Sequence, residues 1–252
     1  MTIARRSRAS IPRRSRALDI VYDDDWLIVV NKPAGLLSVP LERKRDVPSV
    51  FDLLVERFRS HGKKRPLVVH RIDQDSSGLV LFAKDAQSRY ALMAQFRQRK
   101  PERVYQAVVH GHVHPLDGTW HDRLVWDTKA LIQKPAAPQD RNAEVAVSEY
   151  RVLERLKGAC LIEVRLRTGR RNQIRIQAAL RGHPLVGERR YTTPGMELES
   201  IHFERQALHA WRLTVRHPRD SRVLTFEVPP PPDFQDLLSR LRPKQTGEKR
   251  HD

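Results

Sequence analysis

Short β-branched runs recur along this chain without alternating regularly with helical segments. "LDIVYDDDWLIVVNKP" (18–33) holds two such runs around an acidic turn, Asp23 to Asp25, and predicts a hairpin. "LVLFAK" (79–84), "RVYQAVVHG" (103–111), "VSEYRVLERL" (147–156), "ACLIEVRLRT" (159–168), "WRLTVRHP" (211–218) and "SRVLTFEV" (221–228) predict further strands, several with apolar residues at every second position. Helical spacing is confined to three stretches. These are 49–62 with Ser49 as cap and Gly62 as stop, 85–100 capped by Asp85, and 170–183 with Gly182 at its C-terminal end. Four prolines at 229–232 are expected to end the sheet. Strands in excess of helices, without strict alternation, predict an α+β fold with a largely antiparallel sheet.

Charge narrows the partners. The 252 residues carry 47 Lys+Arg against 30 Asp+Glu, a formal net charge of +17. A polyanion is the natural partner, and nucleic acid fits best because each neutralised phosphate releases counterions and arginine also reads or stacks on bases. Residues 1–17 hold six arginines and no acid, and predict a disordered basic arm. Such an arm grips RNA phosphates, serves as a solubilising tail, or acts as an organelle transit peptide, although Pro12 and the scarcity of apolar residues make it a poor amphipathic helix. Residues 236–252 are expected to form a basic C-terminal tail. With 39% apolar and 31% charged residues and no apolar run near the ~20 residues of a membrane span, a soluble protein with no membrane partner is expected. The lone Cys160 forms no internal disulfide and is expected to be a buried strand residue; with no secretory signal, this points to the cytoplasm.

Three constellations have chemical potential. In "HRIDQDSSGLVLFAKD" (70–85), Asp73 and Asp75 on an extended backbone would point to one side, roughly 6–7 Å apart at Cα. That range overlaps the carboxyl separation of an inverting glycosidase; the competing reading is a hydrogen-bonded turn in which Gly78 supplies a special dihedral angle. His110, His112 and His114 would share a face of a continuous strand and could hold zinc, but no accompanying carboxylate or cysteine stands at ligand spacing, so a polar strand edge is preferred. In "RTGRRNQIRIQ" (167–177), Arg171 and Arg175 fall four apart and are expected to share a helix face that pairs with phosphate or carboxylate. No internal repeat, Gly-rich phosphate loop or Cys-based metal site is found.

Five segments, in order, resemble the RluA-type family of RNA pseudouridine synthases: "VVNKPAGLLSVP" (29–40), "HRIDQDSSGLVLFAK" (70–84), "RVYQAVVHG" (103–111), "LRTGRRNQIRIQAALRGHPLVG" (166–187) and "RQALHAWRLTVRHP" (205–218). The resemblance implies a catalytic domain over 18–235, built on an elongated mixed sheet with flanking helices and a central RNA-binding cleft. The implied reaction breaks the N-glycosidic bond of selected uridines in structured RNA, rRNA or tRNA, turns the uracil and joins its C5 to ribose C1′. No cofactor and no metal are expected, and such members are commonly monomers.

The same resemblance implies site residues. Asp73 would be the essential carboxylate, acting as nucleophile or as base. Arg175 would hold it charged by a bidentate pair, and Tyr105 would lie against the uracil and help remove the C5 proton. Arg71 would displace the flipped nucleotide, with Arg170 and Arg171 binding RNA. Ser76, Arg103, Asn172, Gln177 and Glu188 depart from the family's commoner threonine, lysine, two histidines and aspartate. An S4-like RNA-binding domain is not expected, because eighteen leading residues cannot form one. A catalytically silent RNA-binding or assembly factor with the same fold is the alternative function.

Overall fold

A computed structural model describes residues 18–41, 47–60, 65–192, 195 and 198–243. The basic arm at 1–17, the stop at Gly62 and the last nine residues lie outside them. The described elements run β1 (Asp19–Asp23), β2 (Leu27–Lys32), α1 (Val50–Ser60), β3 (Leu67–Val68), β4 (Ser77–Ala83), α2 (Ala86–Arg97), β5 (Glu102–His110), β6 (Asp117–Asp127), β7 (Ile132–Pro135), β8 (Glu144–Leu156), β9 (Ala159–Leu166), α3 (Gln173–Leu180), β10 (Leu208–Arg216), β11 (Val223–Glu227) and α4 (Pro232–Leu241).

The strands form one sheet ordered β1-β2-β4-β10-β5-β9-β8-β6-β7, with β3 added to β4 and β11 to β10. Every pairing is antiparallel except one, the short parallel contact of β4 with β10 through Ser77–His209 and Gly78–Ala210. That seam joins the four N-terminal strands, β1–β4, to the other seven, β5–β11. Gly78 stands there at φ +110, and a Cβ on it would lie 2.2 Å from the Ala210 carbonyl oxygen, so only glycine fits.

Local sequence explains most elements. Asp24 closes the β1–β2 turn by accepting from the backbone N–H groups of Trp26 and Leu27, both at 2.8 Å. Ser49 and Asp52 cap α1 reciprocally: the Ser49 hydroxyl accepts from the Asp52 N–H at 3.1 Å and the Asp52 carboxylate from the Ser49 N–H at 3.2 Å. Asp85 caps α2 through the Ser88 N–H at 2.8 Å. The unbroken apolar runs of β2 and β4 are buried on both faces. Ile28, Val30, Val80 and Phe82 pack with Leu54 and Phe58 of α1, while Leu27, Val29, Leu79 and Leu81 pack with Leu92 of α2.

Three expectations change. A strand pair, β6 and β7, fills 117–135, where no strand was expected; β6 exposes much of its length and lacks a continuous apolar signal. The helix expected over 170–183 starts only at Gln173, because Asn172 adopts a left-handed φ of 53°, although Gly182 ends it as expected through Gly182 N–H to Ala179 O and His183 N–H to Ala178 O. After the prolines, α4 carries Phe234, Leu237 and Leu238 into a cluster with Val108, Leu161 and Val186, so the boundary expected at 235 falls inside a packed helix. Cys160 is buried on β9, as expected. Among the described residues no helix is long and apolar enough to cross a membrane.

Candidate active site

The segment that enters β4 carries Asp73, and the chain pins that segment from three directions. Lys32, fully buried at the end of β2, spends its three ammonium hydrogens on the carbonyls of Pro33, Leu36 and Gln74, each at 2.8 Å. Desolvation lowers its pKa to about 7, against the opposing charges of Asp75 and Asp73. The Ser38 hydroxyl brackets Ile72, donating to its carbonyl at 2.8 Å and accepting from its N–H at 3.1 Å. Arg205 donates to the Asp75 carbonyl at 3.1 Å while forming a two-point ion pair with Asp233 of α4.

Residues 73–76 form a turn closed by Ser76 N–H to Asp73 O at 3.2 Å, so the extended geometry that would align Asp73 with Asp75 does not occur. Asp75 is exposed and does not line the cleft that holds Asp73. The glycosidase pairing is thereby removed; Asp75 contributes its carbonyl to Arg205 and its charge to the surroundings of Lys32.

Asp73 lies in a cleft of about 240 Å³ with Arg71, Tyr105, Arg170, Arg171 and Arg175. Its Oδ2 accepts from Arg175 Nη1 at 3.1 Å and from Asn172 Nδ2 at 2.6 Å. Because both bonds fall on Oδ2, the lone pairs of Oδ1 stay unengaged among the described residues. Arg175 is gripped in turn by the fully buried Glu188, Nε to Oε2 at 2.6 Å and Nη2 to Oε1 at 2.7 Å. Burial alone would lower the arginine's pKa, but the Glu188 hydrogen bonds and the charges of Glu188 and Asp73 raise it, and the guanidinium stays charged. Burial alone would raise Glu188; Arg175 and the backbone N–H groups of Arg189 and Arg190 bring it below the usual carboxylate range. Asn172 is held from behind, its Oδ1 accepting from the Tyr191 hydroxyl at 3.2 Å, which itself accepts from the Gln133 N–H at 3.0 Å.

Tyr105 of β5 is buried, and desolvation raises its pKa, with Arg103 opposing and Asp73 adding to the shift. The phenol therefore keeps its proton at neutral pH. Arg71 is exposed at the rim and lines the cleft; burial and the neighbouring Arg171 lower its pKa. Arg171 and Arg175 do not share a helix face. Arg171 precedes α3 and lies over Trp126 of β6, 4.1 Å from the ring centroid, whereas Arg175 points to Asp73. Arg170 also precedes α3, and its guanidinium is ion-paired with Glu144 while donating to the Val145 carbonyl at 3.0 Å. Gln177 is fully buried and docks α3, accepting from the Ser148 hydroxyl at 2.6 Å and donating to Asp122 at 2.7 Å.

The three histidines diverge, because β5 ends at His110 and Gly111 turns the chain at φ 73°. His112 Nε2 then lies 3.3 Å from the Leu156 carbonyl and His114 accepts from Arg155 at 3.1 Å. The partners that sequence reasoning missed are Lys32, Tyr191 and the bonding roles of Asn172 and Glu188. "NKPAG" (31–35) was the one local signal, a lysine before a rigid turn with carbonyls to satisfy.

Residues 26–180 match the RNA pseudouridylate synthase family. The chain is 37% identical over 235 residues to a ribosomal large subunit pseudouridine synthase D of Zymomonas mobilis, covering 89% of this chain and 73% of that one. It is 34% identical over 228 residues to an RNA pseudouridine synthase of Synechocystis, covering 89% and 69%. A human RNA pseudouridylate synthase domain-containing protein 4 has the same fold, with a TM-score of 0.73 at 22% identity over 88% of this chain and 92% of that one. The ordered motifs, the cleft and these relatives agree: the chain belongs to the RNA pseudouridylate synthase family and is an isomerase that converts uridine in RNA to pseudouridine.

Proposed function

We propose that Asp73 is the essential carboxylate of this synthase, that Arg175 orients it, that Tyr105 lies against the uracil, and that the substrate is large-subunit ribosomal RNA. The observation that carries the first assignment is a carboxylate with one oxygen held by Arg175 and Asn172 and the other unengaged, inside a cleft rimmed with arginine. The reaction breaks N1–C1′, turns the base and joins C5 to C1′; a proton leaves C5 and one ends on N1, so atoms and oxidation state balance without a cofactor. An ionised Asp73 serves either as nucleophile or as base for a ribose proton, and both roles require the fixed orientation that the Oδ2 pair supplies. Tyr105 lies against the uracil and helps remove its C5 proton; burial raises the pKa of its phenol.

Arg71, which forms no ion pair among the described residues, is the candidate to occupy the space left by the flipped uridine; flipping costs a few kcal/mol, which phosphate contacts offset. Arg170 and Arg171 flank it, Arg170 with its charge already shared with Glu144. Support for the ribosomal substrate comes from relatives named for the large ribosomal subunit, and a cytoplasmic site of action fits that substrate. Asp73, Tyr105 and Arg175 come from one chain, so a monomer suffices.

The test is tritium release from large-subunit rRNA carrying 5-tritiated uridine, since joining C5 to C1′ expels that hydrogen. Wild type is expected to release tritium and a folded Asp73→Asn variant to release none; full activity in Asp73→Asn would overturn the catalytic assignment. Tight RNA binding without release by the wild type would favour the silent binding factor instead.

A further inference from the structure

A second cavity, of about 490 Å³, adjoins the catalytic cleft and shares Arg71, Arg103, Tyr105, Gly169 and Arg170 with it. Beyond that shared wall it is closed by His70, Phe96, Arg97 and Arg99, and its charged lining residues are all arginines. An acid-free, arginine-lined hollow that shares a wall with the proposed uridine site suits the next phosphodiester of the same strand.

Arg99 is the most informative residue there. It stands at φ 57, just past α2, where its N–H bonds to Phe96 O and the Lys100 N–H to Gln95 O, the paired bonds of a helix that ends in a left-handed residue. Glycine takes that conformation freely and arginine does not. Helix-dipole compensation does not require it, because Arg97 already occupies the last turn. Independently, Arg103 Nε is buried without a hydrogen-bond partner, while its Nη2 donates to the Thr168 carbonyl at 3.1 Å. His70 accepts the Leu81 N–H on Nε2, which keeps the ring neutral, and stacks on Phe96 at 4.8 Å between centroids, putting an aromatic pair beside the cations.

We propose that this cavity binds the nucleotide adjoining the target uridine, with its phosphodiester on Arg97, Arg99 and Arg103 and its base or ribose against the aromatic wall. The proposal rests on the Asp73 cleft being the uridine site.

The experiment compares wild type, Arg99→Gly and Arg240→Ala, the last an exposed arginine of α4 that lines neither cavity. Affinity for transcribed bacterial large-subunit rRNA is measured across potassium chloride concentrations. Arg99→Gly is expected to flatten the log–log salt slope by about 1, to weaken binding several-fold, and to leave the melting temperature unchanged or raised; Arg240→Ala is expected to keep the wild-type slope. In rRNA carrying 4-thiouridine, the nucleotide that crosslinks to residues 96–103 is expected to be the direct neighbour of the uridine that releases tritium. Equal slopes for Arg99→Gly and Arg240→Ala, or crosslinks only to remote nucleotides, overturn the proposal. Tritium release by Asp73→Asn would instead overturn the catalytic assignment, leaving the slope comparison to report the phosphate contact by itself.

Discussion

At the residue scale, the site is a chain of orienting contacts that ends on one carboxylate oxygen: Glu188 holds Arg175, Tyr191 holds Asn172, and both hold Asp73. A lysine at 175 would supply charge without the planar fork that spans Glu188 and Asp73. Arg175→Lys is therefore expected to lower kcat about 10- to 100-fold, the equivalent of losing a charged hydrogen bond worth ~1.5–3 kcal/mol, with little change in RNA affinity; steady-state tritium release separates the two. Asn172→Asp would set a second carboxylate against Asp73 where the amide now donates at 2.6 Å. One proton would then be shared between two acids, so the acid limb of the pH–rate profile is expected to move to higher pH. Asp73, Tyr105 and Arg175 were legible as residues because they sit in quoted motifs. Their bonding was not, since Asp73 and Arg175 meet across 102 positions.

At the element scale, hairpins, caps and helix stops follow local hydrogen-bonding rules and were legible. The exceptions have long-range causes. β6 pairs with β8 over eight registered positions and is held by that pairing although much of its own length is exposed. α4 exists because its apolar side meets Val108 and Leu161; Leu237→Ala is expected to cost about 2–5 kcal/mol in a denaturant titration, as for other buried leucines. The seam between β4 and β10 leaves no room for a methyl group at Gly78. Gly78→Ala is expected to strain the backbone by ~1–3 kcal/mol and to force the two strands apart besides. Loss of soluble protein or a strongly lowered melting temperature checks this.

At the scale of the whole molecule, the same seam carries a pH-sensitive contact. His209 of β10 is fully buried, Nε2–H donating to the Val228 carbonyl at 3.0 Å and Nδ1 taking the Ser77 hydroxyl at 2.9 Å. Desolvation lowers its pKa from 6.5 to about 4. The unfolded chain thus binds more protons between those values, and stability is full above pH 6.5 and lost as pH falls toward 4, at up to ~1.4 kcal/mol per pH unit. Urea midpoints measured from pH 7 to 4 are expected to fall less steeply in His209→Gln than in wild type. The amino-acid sequence by itself determined the class of fold, the polyanionic partner and the aspartate proposed to carry the chemistry, because apolar periodicity, net charge and ordered motifs are written in neighbouring residues. Tertiary structure alone decided that Arg171 turns to Trp126 and not to Asp73, that Asp75 contributes a carbonyl, and that Asn172 and Glu188 orient the site. Those outcomes depend on the seam and the β6–β8 pairing, which bring distant side chains within hydrogen-bond reach.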